Sequence, residues 1–262
     1  SKQAHQQQGG LHGQDLLVMS MRMIILPMLE DTLDQEWKAE VVNDEAVRVI
    51  VHELMEPKEQ SGDVYEEPIR IELLQLATLL IRKMQGKLVQ HRKELIKFGW
   101  NHLKHEDSSS KQWAFINVCY FLDAYQAPEK IVLQVFVALL RTCQQESKNL
   151  VKEALDILTP ALPRRLEQKD QRVPMWIRYT KKVLVEEGHS LPHLVHIWQL
   201  VIRHAEQFYN SRAIFVPQMV NSLSRLAFQN GPPEHRRIAL DLAALVIHWA
   251  RRTADDKKTA AA

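Results

Sequence analysis

The sequence predicts an all-α fold, a solenoid of paired helices, and three observations predict it. Apolar residues recur at i, i+3 or i+4, and i+7 from Asp15 to Arg252, the spacing that puts them on one helix face. Helix-start signals restart about every 40 residues, a period that marks stacked helical repeats. Only 8 of the 262 residues are Gly, and the 11 Pro sit mostly where a helix would start or stop. With 45% hydrophobic residues, the chain can bury a continuous core.

Taken in order, Ser1 to Gly13 is rich in Gln, Gly and His and reads as a disordered polar tail. The domain partition is therefore 1–13 tail, 14–252 α-solenoid segment of a larger protein, and 253–262 flexible tail. The chain opens on Ser1 and not Met, as expected of an excerpt. Four windows carry the periodicity: Leu73, Leu76, Ala77 and Leu80; Val151, Ala154, Leu155 and Leu158; Val216, Val220, Leu223 and Ala227; Ile238, Leu242, Leu245 and Trp249. Asp44, Ser110 and Ser147 are expected to accept hydrogen bonds from first-turn amides, and Pro128 and Pro192 to open helices. Met55 to Pro68 reads as an acidic surface loop, and Asn230 to Pro233 breaks the chain before a last helix. Starts near Asp44, Ser110, Ser147, Ser190 and Glu234 lie 66, 37, 43 and 44 residues apart, so the first gap holds an extra helix or more and the total is about eleven. Asp44 to Arg48 and Leu150 to Leu155 resemble the second-helix pattern of HEAT repeats, an acidic or polar start followed by Val-basic and small apolar positions.

The net charge of +2 gives no general argument for nucleic acid binding, and none is expected directly. Locally, Leu29 to Glu67 holds 13 acidic and 3 basic residues, net −10, whereas Arg82 to Lys104 holds 7 basic and 1 acidic, net +6. Helices of opposite sign can steer charged partners. Cys119 and Cys143 each lie in an apolar helical pattern, and no Asn-x-Ser/Thr sequon occurs, which indicates a reducing compartment, cytosolic or nuclear. The longest apolar run, Leu16 to Leu29, is interrupted by Ser20, Arg22 and Pro27 and is too short to span a bilayer, so no membrane partner is expected.

Chemistry is sparse. No phosphate-cradling Gly-rich loop, G-x-S-x-G elbow, H-E-x-x-H helix or kinase D-F-G is present, so neither enzyme activity nor a cofactor is expected. His189, His193 and His196 have helical spacing, with His204 beyond them, but Pro192 places His189 ahead of the helix and no cysteine lies close in sequence to complete a site. His102 and His105 suit a helix end, and no metal is expected. The Trp residues, spread along the chain, suit packing between helices better than base stacking. What remains as partner-binding candidates is basic: Arg82, Lys83, Arg92 and Lys93, and Arg164 and Arg165 with Arg178, Lys181 and Lys182, which can engage carboxylates or phosphates.

Several segments also carry a resemblance. Arg92 to Lys104, Lys111 to Phe115, Ala124 to Lys130, Pro160 to Leu166, Trp176 to Lys182, Glu186 to Ser190 and Phe215 to Leu226 closely resemble the transformation/transcription domain-associated (TRRAP) family, over about Leu16 to Arg252. The likeness departs at Asp31 to Asn43 and around Gln168 and Gln229. The resemblance implies a HEAT-repeat slice of a pseudokinase member of the phosphatidylinositol-3-kinase-related kinases. It implies a non-catalytic nuclear scaffold of histone acetyltransferase coactivator complexes. The partners so implied are the complex subunits, transcriptional activators and adjacent repeats of the same chain, with roles in transcription, chromatin and DNA repair. The alternatives are a solenoid slice of a catalytically active relative and a transport-receptor solenoid.

Overall fold

The computed structural model describes residues 13–35, 42–55, 65–166, 173–227 and 232–261. Of the expected tail 1–13 all but Gly13, which is already helical, lies outside them, as do residues 56–64 of the expected loop Met55 to Pro68, whose ends are helical, and Trp37, Gln168, Gln229, Asn230 and Gly231. Among the described residues every regular element is helical. Residues 13–20 (α1) lead through a π-helical turn, Met21–Ile25, into α2 (Leu26–Asp34). Then follow α3 (Asp44–Val49), running into a second π turn at Ile50–Met55, α4 (Glu67–Lys83), α5 (Arg92–His102), α6 (Ser108–Ala124) and α7 (Glu129–Arg141). The rest are α8 (Lys148–Arg165), α9 (Met175–Glu187), α10 (Leu191–Arg203), α11 (Ala205–Tyr209), α12 (Arg212–Ala227) and α13 (Pro233–Ala261). The excess over the expected eleven comes from short pieces such as α3 and α11.

Helix starts form where the sequence supplies acceptors, though not always at the expected residue. Asn43, not Asp44, caps α3 by accepting from the Ala46 amide at 2.8 Å. Asp107, three residues ahead of Ser110, caps α6 by accepting from the Ser110 amide at 2.7 Å. Ser147 closes a 3-10 turn, and its hydroxyl donates to the Gln144 carbonyl instead of capping. Pro128 and Pro192 do sit at helix starts. Pro160, Pro163 and Pro217, by contrast, lie inside α8 and α12. There a proline removes one helical hydrogen bond, and each of the three stands on the exposed face of a helix whose opposite face is buried. The last helix continues to Ala261, so residues 253–261, expected as a tail, are helical, and Tyr209 donates to Asp256.

The chain divides into two compact units, 1–126 and 127–262. In the first, α4 packs on α2 and on α6. Contacts between α4 and α6 advance together along both helices: Arg70 with Ser110, Thr78 with Asn117 and, just past the helix ends, Gln85 with Tyr125. The two helices therefore run parallel, offset by 39 to 40 residues. The same advance relates α2 to α4, from Arg22 with Glu72 to Asp34 with Lys83. Parallel stacking of equivalent helices at a fixed offset is what a repeat solenoid requires. Buried on both sides, α4 is apolar nearly all round, and its Leu74, Ala77, Leu80 and Ile81 have no exposed surface.

The second unit repeats the arrangement. Phe136 with Trp176 and Arg141 with Glu186 align α7 parallel to α9, and Glu206 with Arg252 followed by Tyr209 with Asp256 aligns α11 with α13. An edge-to-face chain of rings, Phe136 to Trp176 to Phe208 to Phe215 at 6.3, 5.1 and 5.3 Å, joins successive helices through the core. Trp176, Trp198 and Trp249 are buried, as expected of packing tryptophans. Three of the four periodic windows are buried throughout. The fourth is not: on α12 the buried set is Phe215, Met219, Ser222 and Leu226, while Val220 is 50% exposed and Leu223 only half-buried. Phe215, Met219 and Leu226 take the core in place of the smaller Val216, Val220 and Ala227, which turns α12 by one residue relative to the expected face and carries Ser222 in ahead of Leu223.

Candidate partner-binding surfaces

In the first unit the acidic and basic windows meet each other. Arg82 and Lys83, in the last turn of α4, point to α2: Arg82 lies 3.6 Å from Glu30 and over the Tyr120 ring at 5.4 Å, and Lys83 pairs with Asp34. Lys87 donates to the Val42 carbonyl at 3.0 Å. Arg92 and Lys93 stand exposed at the start of α5, where the Arg92 guanidinium donates to the Val89 carbonyl. Part of the basic window thus fastens α4 to α2.

Two further ion pairs each join a buried member to a more exposed one. Arg22, placed by the first π turn, donates twice to one oxygen of Glu72, a residue with no exposed side chain. Arg70, buried in α4, donates to Asp107 at 2.9 Å, to the Tyr65 carbonyl at 2.7 Å and to the Ser110 hydroxyl. Burial would raise the Asp107 carboxyl, but the hydrogen bonds from Ser110 and the Arg70 guanidinium together hold it below the usual range. A charge buried with every polar atom engaged fixes register between helices, here α4 with α6.

In the second unit, Arg164 is exposed and Arg165 half-buried at the end of α8. Arg178, Lys181 and Lys182 are exposed on α9, and with Val185 they occupy i, i+3, i+4 and i+7, one helix face. That face forms one wall of an open groove of about 830 Å³ whose lining includes Ile214 of α12. Lys182 lies 3.6 Å from Glu186, Arg178 donates to the Met175 sulfur at 3.4 Å, and Lys181 makes no ion pair with any described residue. The apolar half of this groove escaped the sequence reading. Val185 was findable from its i+7 position, whereas Ile214 is brought in only by tertiary packing.

The histidines part company. His189 bonds the Glu186 carbonyl at 3.1 Å, His196 bonds the Leu139 carbonyl at 3.0 Å, and His193 lies 3.0 Å from Glu187 and 3.3 Å from the Cys143 sulfur. His204 meets Asp156 at 2.8 Å. Among the described residues no group of three has the geometry to hold a metal ion. Cys119 is fully buried and its thiol pushed far up by burial; Cys143 is half-buried and raised by burial first and by the Glu187 carboxylate next. Neither has the electropositive surroundings that make a thiolate. Among the described residues, no helix is long and apolar enough to cross a membrane.

Residues 12–262 match the Tra1 HEAT repeat ring region. The chain belongs to that family. Relatives of this Tra1 ring segment include a probable transcription-associated protein 1 of Dictyostelium discoideum, 42% identical over 90% of the chain and 5% of the relative. The SAGA complex/NuA4 acetyltransferase complex subunit TRA1 of Saccharomyces cerevisiae is 35% identical over 72% of the chain and 5% of the relative. The human transformation/transcription domain-associated protein is 33% identical over 80% of the chain and 6% of the relative. The Tra1 ring chain thus spans a small fraction of the relatives it matches. An engineered protein of solved structure aligns at TM-score 0.45 and 11% identity, over 86% of this chain and 89% of that one.

Proposed function

We propose that this Tra1 ring segment is a non-catalytic scaffold layer of a nuclear subunit of histone acetyltransferase coactivator complexes. It holds complex subunits, transcriptional activators and the adjoining repeats of its own parent chain, and so serves transcription and chromatin-linked repair. The observation that carries this reading is the family membership, read with the yeast relative's name as a SAGA and NuA4 acetyltransferase complex subunit. The physical mechanism is geometric. Parallel helices packed in register leave one face of each outer helix free for docking, and local charge selects what docks there. The exposed cations of α5 and α9 supply that charge.

Affinity purification of the full-length parent protein from nuclear extract tests the reading. Recovery of acetyltransferase activity with the adaptor subunits is expected. A purified parent protein that brings neither, while remaining folded, contradicts it.

A further inference from the structure

We propose that the groove between α9 and α12 is a docking slot for an acidic amphipathic helix belonging to another subunit of the same assembly, an inference that rests on the scaffold reading above. Charge complementarity and the apolar floor together point to this occupant. Among the described residues that line the groove, Arg178, Lys181 and Lys182 face a single acid, Glu186, a net charge of +2. Lys181 makes no ion pair with any described residue, so its charge is available to a ligand. On the same face Val185 is 62% exposed, and Ile214 faces it from α12. An aliphatic side chain so exposed beside three cations is what an acidic helix with apolar residues at i, i+4 and i+7 complements. A phosphate or a nucleic acid backbone would use the cations and leave the aliphatic floor idle. From Arg178 to Val185 the helix advances about 10 Å, matching two turns of a docked helix. At about 830 Å³ the groove has room for the side chains of those turns.

The test uses the full-length parent protein and a fluorescent sixteen-residue peptide of Asp, Glu and Leu with the leucines on one helical face. A scrambled peptide of identical composition and heparin serve as competitors. The patterned peptide is expected to bind at least about tenfold more tightly than the scrambled one. Lys181→Glu with Lys182→Glu should weaken it about tenfold or more and flatten its salt dependence. Val185→Asn should weaken it several-fold with the salt dependence intact. Equal binding of both peptides with no effect of Val185→Asn would make the groove a general polyanion site and overturn the proposal, as would absence of binding. Acetyltransferase recovery by the same preparations is scored separately. Peptide binding without acetyltransferase sinks the scaffold reading but leaves the groove, and acetyltransferase without peptide binding does the reverse.

Discussion

Gly99 of α5 lies against Asn117 of α6 so closely that a methyl group placed on it would sit 2.5 Å from Asn117 Oδ1 and 2.9 Å from Val118 Cγ2. Both contacts are to buried side chains of α6, and Asn117 is also fastened to α4 by the 3.1 Å bond from its Nδ2 to Thr78 Oγ1. Glycine is here because the Asn117 and Val118 side chains press against the α5 backbone, and not for any unusual backbone angle.

Gly99→Ala is therefore expected to destabilise the chain by about 1 to 3 kcal/mol, the overpacking cost exceeding the roughly 1 kcal/mol that alanine gains in a helix. Chemical denaturation measures it. Adding Asn117→Ala should recover part of the loss beyond additivity, because the second change removes the nearer of the two atoms that clash.

The α12 face supplies a paired prediction. Leu226 has no exposed surface and Leu223 is half-buried. Leu226→Ala should cost about 2 to 5 kcal/mol, like the fully buried Leu155→Ala, and Leu223→Ala distinctly less. Equal losses at 223 and 226 in thermal unfolding would place α12 one residue away from where it is described.

That helix also marks where the sequence was legible and where it was not. The helical period, the repeat offset near 40 and the buried faces of α4, α8 and α13 could be read directly, because α8 and α13 each have one apolar stripe and α4 is apolar nearly all round. On α12 two apolar stripes compete, one through Val216, Val220 and Leu223 and one through Phe215, Met219 and Leu226. Only packing against α13 decides between them. Caps were missed at Asn43 and Asp107 because each stands beside or within three residues of another plausible acceptor. The basic candidates were legible as charge, but not that Arg82 and Lys83 face α2, since a partner about 50 residues away leaves no local signal.

Removing the Asp107 carboxylate should cost about 2 to 4 kcal/mol as Asp107→Ala, the sum of a lost helix cap and a lost ion pair to the buried Arg70. Since its carboxyl is held below the usual range, its contribution is present above the unfolded pKa and lost as pH falls through the folded one. Stability measured between pH 5 and pH 2 should therefore fall less steeply in Asp107→Asn than in the parent.

Histidine burial gives a second pH dependence at higher pH. Burial pushes His102, His196 and His204 below their ordinary values, opposed by the Phe98 and Leu139 carbonyls and by Asp156 respectively. Unfolded imidazoles then bind protons first, so the stabilising contribution is present above about pH 6.5 and declines as pH drops below it. Thermal midpoints recorded from pH 8 to pH 5 should fall, and His196→Asn should reduce the slope.

The scaffold account is tested most directly by cross-linking mass spectrometry on the intact assembly purified through its full-length parent chain. The account predicts links from Lys181 and Lys182 on α9, and from Lys93 on α5, to other subunits of an acetyltransferase complex. An assembly in which these lysines react only with the parent chain, and from which acetyltransferase subunits are missing, would contradict it.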